Sequence, residues 1–161
     1  MTDPRWLTPQ ELHAWIRLVS VVELLPGALD APLQRDAELT HFEYFTLARL
    51  SEASDRSLRM TALSAATNSS LARLSHVITR LEKRGFVERT PCAEDRRATN
   101  AFLTTSGWRK VVDTAPGHVA TVRDSVIDVL DAADIADLDR IMGRILSRLD
   151  PSGRLRDWSE E

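Results

Sequence analysis

Apolar residues recur at helical spacing along most of the chain. Leu12, Trp15, Ile16, Val19 and Val22 mark a first helix. Thr8-Pro9-Gln10-Glu11 precedes it, combining a cap residue, a proline at the first helical position and a capping-box acid. Pro26-Gly27 is expected to kink or interrupt this helix, since Pro26 cannot donate to the carbonyl four residues back. Helix should resume over about 29–35, with Pro32 a second irregularity. Thr40, with Glu43 three residues on, opens a second helix whose apolar face is Phe42, Phe45, Leu47, Ala48 and Leu50. Asp55-Arg56-Ser57 reads as a short connection, and 60–66 as a brief helix with Leu63 inward. Thr67-Asn68-Ser69-Ser70 is a turn that caps the next helix.

That next helix has two unlike sides. Leu71, Leu74, Ile78 and Leu81 fall on one, and Arg73, His76, Arg80 and Lys83 on the other. Gly85 follows where a left-handed residue is wanted. Two short strands are predicted over 86–90 and 98–103, joined by the polar tip Pro91-Cys92-Ala93-Glu94-Asp95-Arg96-Arg97. Thr104 then caps a long helix with Trp108, Val111, Val112, Val119, Val122, Val126 and Val129, expected to bend at Pro116-Gly117. A last helix over 131–149 carries Ile135, Leu138, Ile141, Met142, Ile145 and Leu149 on one stripe, and residues 150–161 are expected to fray. The chain contains no internal repeat and no low-complexity tract.

The order helix, helix, short helix, basic helix, hairpin, long helix, helix predicts a mainly α fold with a small β-hairpin. Its centre is a winged helix-turn-helix, flanked by N- and C-terminal helices; the apolar stripes at 111–129 and 135–149 need a further surface to cover, which the same elements of a second chain would supply. The expected division is a helical region at 1–36 and 105–150, a lobe at 37–104 and a flexible tail at 151–161. A short helix, a tight turn and a second helix form a unit whose second helix fits a major groove about 12 Å wide.

Charge sharpens this reading. The net charge is −3, which by itself argues against a polyanionic partner. The distribution is uneven, however. Residues 1–55 carry four Lys/Arg against nine Asp/Glu, residues 56–110 eleven against four, and residues 111–161 six against eleven. A polyanion responds to the local potential, so the basic middle is the candidate surface and the acidic ends should face away.

Asn68, Ser69 and Ser70 stand at the start of the basic helix, where free N–H groups favour phosphate, although such residues also cap helices everywhere. Arg73 is suited to the O6/N7 edge of guanine and His76 to a base edge or phosphate. Ser75 and Arg80 belong to the same candidate surface, with Lys83 near the helix end serving phosphate or solvent. At the hairpin tip, Asp95, Arg96 and Arg97 suit a wing arginine entering a minor groove, with Asp95 accepting guanidinium hydrogen bonds. A hydrophilic tip chosen for solubility would have the same residues.

The run Leu63-Ser64-Ala65-Ala66, the stretch from Ser70 through Arg80-Leu81-Glu82-Lys83-Arg84-Gly85 to Arg89, the segment Glu94-Asp95-Arg96-Arg97 and then Leu103-Thr104-Thr105-Ser106-Gly107 resemble the MarR family of regulators. The spacing between these segments is specific to that family. The resemblance implies a triangular homodimer on a two-fold axis, with the first helix and the last two at the interface. It implies double-stranded DNA as partner, a pseudo-palindromic operator, and Arg97 (or Arg96) as wing arginine with Asp95 beside it. Such regulators commonly repress genes near their own and release DNA on binding small, often phenolic, ligands. Pro26-Gly27 and Pro32 depart from the family pattern, as does the lack of a cysteine in the first helical region.

Other chemistry is weakly supported. Trp15, His41, Tyr44 and Trp108 are the candidate contacts for an aromatic ligand, in competition with plain core packing. His13, His41, His76, His118 and Cys92 are scattered without paired ligand spacing, so neither metal nor cofactor is expected. Cys92 is the single cysteine, read as an incidental exposed thiol in a reducing cytoplasm. Arg96 and Arg97 nearby would favour its thiolate. The N-terminus does not read as a secretory signal, and no apolar run approaches bilayer length. No phosphate-cradling loop, nucleophile elbow or carboxylate pair points to an enzyme. A winged-helix module that binds protein or small molecules without DNA remains the alternative.

Overall fold

The computed structural model describes residues 4–92, 95 and 97–155. Its elements run α1 (Pro9–Ala37), α2 (His41–Glu52), β1 (Ser57–Arg59), α3 (Met60–Ala66), α4 (Leu71–Lys83), β2 (Val87–Pro91), β3 (Thr99–Leu103), α5 (Thr105–Val122), a π-helical turn (Arg123–Ile127) and α6 (Ala132–Leu149). Three helices start on full capping boxes, Thr8 with Glu11, Thr40 with Glu43 and Asp131 with Asp134. Each box satisfies backbone donors at both ends of its first turn.

The interruption allowed for at Pro26-Gly27 does not occur: α1 is one continuous 29-residue helix through Pro26 and Pro32. α5 likewise runs through Pro116 to Val122, and a π-helical turn follows it. An interior proline costs a helix about 3 kcal/mol by propensity, but context overrides such local terms. Val22, whose carbonyl Pro26 cannot cap, is exposed, so water can satisfy that group, while Leu29, Leu33 and Ala37 bury the last turns of the same helix.

α1 is also longer and more apolar than an amphipathic stripe requires. By length and composition it could cross a bilayer, with a mean hydropathy of 1.4 over a window none of which is buried. The expectation that no segment approaches bilayer length is corrected to that extent: isolated charges interrupt the run without lowering its average.

The missed element is β1. The three strands form an antiparallel sheet in the order β1-β3-β2, with Leu58 opposite Ala101 and Arg89 opposite Ala101 on the other side. The core lies between this sheet and α2, α3 and α4. Leu39, Leu47, Leu50, Leu63, Leu74, Ile78, Leu81, Val87 and Leu103 are fully buried there. Cys92 is also buried, contrary to the exposed thiol expected. Beyond α6 the chain is held rather than frayed as far as 155. Buried Asp150 accepts the Leu155 N–H at 2.8 Å, and Arg49 on α2 donates to the Arg154 carbonyl at 3.4 Å. The remainder of the expected tail, 156–161, lies outside the described residues.

The junction at Leu103-Thr104-Thr105-Ser106-Gly107 binds the lobe to α5. Thr104 Oγ1 accepts the Gly107 N–H at 3.0 Å and donates to the Gly85 carbonyl at 2.7 Å. A Cβ on Gly107 would stand 2.1 Å from the Phe86 carbonyl oxygen and 2.7 Å from Leu103 Cδ1. Gly107→Ala should therefore destabilise the chain by about 1–3 kcal/mol, measured as a lower urea midpoint at unchanged slope. An unaltered midpoint would contradict this close approach.

Candidate nucleic-acid interface

α4 is set by its buried side. Leu74, Val77, Ile78 and Leu81 are at most 5% exposed, and burying each contributes about 1.5–3 kcal/mol. With that stripe fixed, Arg73, His76, Arg80 and Lys83 are on the exposed face and Ser75 is half-buried. The approach to α4 is a tight turn. Asn68 has φ 46°, a left-handed conformation that asparagine tolerates better than most residues. Thr67 Oγ1 donates to the Leu63 carbonyl at 2.8 Å and lies 3.0 Å from Ser69 Oγ. Ser70 is the N-cap of α4, accepting the Arg73 N–H at 3.2 Å. All three expected contact residues at this turn thus have structural duties, and Asn68 and Ser70 are exposed as well.

The wing is tied to α4 by Arg89, which sequence reasoning did not single out as a site residue. Its guanidinium pairs with Glu82 and donates to the Ser75 carbonyl at 2.9 Å, Ser75 Oγ at 3.3 Å and Thr79 Oγ1 at 3.0 Å. One arginine on β2 therefore reaches across three positions of α4 and fixes the hairpin beside it. Between α4 and the hairpin lies a groove of about 260 Å³, lined among others by Arg59, Leu71, Ser75, Arg89 and Arg97. Arg59, at the end of β1, was also missed. It joins this surface only because β1 pairs with β3.

At the tip, Asp95 Oδ1 accepts the backbone N–H of Arg97 at 3.0 Å. The expected acceptance of guanidinium hydrogen bonds by Asp95 is not seen for Arg97, whose contact with it is through the backbone. That contact shapes the turn, and Arg97 is exposed. Arg96 lies outside the described residues.

The four candidate ligand residues do not form one set. Trp15 is exposed on α1 and Trp108 packs against the core beneath the Arg56 guanidinium, 4.2 Å from its ring centroid. His41 and Tyr44 do converge, on His118 of α5. The His118 ring lies 4.7 Å from Tyr44 and 6.2 Å from His41. The histidines are thus less scattered than their sequence positions suggest, although the described residues contain no group of three or more metal-ligating side chains. Beside His118 a cavity of about 150 Å³ opens between α1 and α5, lined also by Leu33, Asp36, Lys110 and Thr114. Burial lowers the pKa of His41, against the pull of Asp30, and burial together with His41 lowers that of His118. Burial raises Tyr44.

The sequence model of the MarR family matches residues 39–99. Sco3205 from Streptomyces coelicolor, a MarR family transcriptional regulator solved in complex with DNA, is 41% identical, with a TM-score of 0.88 over 93% of this chain and 94% of that one. AbsC, a MarR family transcriptional regulator from the same organism, is 40% identical, with a TM-score of 0.84 over 91% of this chain and 98% of that one. The transcriptional repressor MprA of Escherichia coli K12 is 28% identical over 107 residues, which are 66% of this chain and 60% of MprA. The match thus spans less than two thirds of that repressor.

Because both histidines are held below their ordinary pKa, the unfolded chain binds protons more readily below about pH 6.5. Stability from this pair should be fully present above that pH and decline as pH falls through it. Thermal midpoints from pH 7.5 to 5.5 should show the decline, and a His41→Asn, His118→Gln variant should flatten that part of the curve. An equally steep curve in the variant would assign the effect elsewhere.

Proposed function

The chain belongs to the MarR family, and from that premise we propose that it is a sequence-specific DNA-binding transcriptional regulator, acting as a homodimer on a pseudo-palindromic operator. The observation that carries this reading is the outward face of α4, with Arg73, His76, Arg80 and Lys83 exposed beside a hairpin that carries Arg97. α4 would lie in a major groove, its side chains reading base edges. Arg97, and Arg96 with it, would reach the adjacent minor groove or backbone. Asn68, Ser69 and Ser70 would place the helix N-terminus against phosphate. This reading assigns the chain no catalysis, and places it in the cytoplasm, with the DNA it reads.

Dimerisation is supported by the terminal helices. Trp6, Trp15, Ile16, Val22 and Leu24 of the N-terminal region and Ile135, Ile141 and Leu149 of α6 are at least 40% exposed, and α6 buries none of its residues. Covering such surface with the same helices of a second copy would gain about 25 cal/mol for each Å² of apolar area buried. It would also set two copies of α4 about 34 Å apart, one turn of DNA.

A small aromatic effector fits the same frame, as a repressor's release signal. His118 lines the cavity of about 150 Å³ between α1 and α5, with the rings of His41 and Tyr44 packed against its own, and that volume is of the size that accepts a benzene-like guest. To act, the effector must prefer a dimer whose α4 helices are misplaced for DNA.

Titrating the dimer onto the DNA upstream of its own gene, at several salt concentrations, tests the reading. Affinity should fall steeply with salt. Arg97→Ala should weaken binding to all sequences, and Arg73→Ala should cost about 1–3 kcal/mol at particular base pairs and relax preference there. Salt-independent or absent binding would leave a winged-helix module that does not act on DNA.

A further inference from the structure

α4 does not hold its arginines alone. Glu43, at the third position of α2, is 5% exposed, and its Oε2 accepts the Thr40 N–H at 2.9 Å as part of the capping box. That bond fixes the carboxylate, leaving Oε1 to face Arg80, whose Nη2 lies 3.1 Å away. The Arg80 side chain itself is 59% exposed. One edge of its guanidinium is therefore held and the other donors remain open to solvent. The preceding residue, Phe42, lies under Arg73, with the guanidinium carbon 4.4 Å from the ring centroid. Stacking engages the face of a guanidinium and leaves its in-plane N–H groups free.

Arg73 and Arg80 are two helical turns apart on α4, about 10 Å along its axis. Both are met by adjacent residues in the first turn of a different helix. From this geometry, and resting on the regulator reading above, we infer that Glu43 and Phe42 are positioning residues for DNA recognition: they hold the Arg80 and Arg73 guanidinium groups in place before DNA arrives. A free arginine loses rotamer entropy when it docks, and one already held loses less. The partial neutralisation of Arg80 by Glu43 also favours contacts that demand orientation over those that need only charge. The pair should thus raise the preference for the operator more than the affinity for DNA in general.

Glu43→Gln provides the test, because the amide oxygen can still accept the Thr40 N–H while the charge is lost. The full-length homodimer is used to select duplexes from a random-sequence pool, and binding to a selected duplex is compared with binding to its scrambled counterpart. Glu43→Gln should lower that ratio about tenfold, the scale of one well-placed arginine contact, with a thermal midpoint close to that of the parent. In an Arg80→Ala background it should have no further effect. Phe42→Leu, which keeps apolar volume but removes the ring, should lower the ratio in the parent and not in Arg73→Ala; it decides the matter if Glu43→Gln unfolds. An unchanged or increased ratio in the variants, or the same loss with and without the partner arginine, would overturn the inference. Failure of the parent to select any duplex would instead overturn the regulator reading itself.

Discussion

The outward face of α4 exists because its inward face cannot rotate. Four apolar side chains over about two turns, Leu74, Val77, Ile78 and Leu81, are closed into the core with Leu47, Leu63 and Leu103. Turning the helix by one residue, about 100°, would expose part of that stripe and bury charge in its place. The hydrophobic contact thus does more than stabilise: it fixes the direction in which arginine and histidine point. The other features of the surface elaborate on that fixed axis. Arg89 sets the hairpin beside it, Thr104 and Gly107 clamp the end of the lobe to α5, and Glu43 and Phe42 hold two of the arginines.

Features governed by near neighbours along the chain were legible in the order of residues alone. The capping residues Thr8, Thr40, Ser70 and Thr104 and the left-handed Gly85 depend on spacings of a few residues and are present; the two-sided pattern of α4 holds except at Leu71, read as inward but 47% exposed, with Val77 buried instead. Features set by distant partners were not. β1 has three residues and no pattern of its own, and it is a strand only because Ser57, Leu58 and Arg59 meet Phe102, Ala101 and Asn100. Arg89 reads as one more basic residue until α4 places Ser75, Thr79 and Glu82 around it. Glu43 could be read as a capping acid, but its second partner is 37 residues away. The unbroken course of α1 through Pro26 and Pro32 is the opposite case, a local preference outweighed by the packing of Leu29, Leu33 and Ala37.

The two halves of the molecule are joined by ring contacts and hydrogen bonds. The rings of His41 and Tyr44 on α2 pack against His118 on α5, and the segment after α6 returns to α2 through Asp150 and Arg49. If α1, α5 and α6 pair with a second copy as proposed, a change at either contact would shift the lobe against the paired helices. Since α4 is rigidly embedded in the lobe, small displacements at the base of α2 would be carried to the spacing between two recognition surfaces.

The unstriped apolar surface of α1 bears on how the chain lives before it finds a counterpart. A newly made single copy displays Trp6, Trp15, Val22 and Leu24 to water, and such a helix end is open to fraying, to proteolysis and to adhesion with other unfolded chains. Pairing through α1, as proposed above, would cover that surface, and survival of the chain would then depend on how many copies are present. Chains made in small number would be cleared faster than the same chains made in quantity, which steepens the fall in their level once production stops.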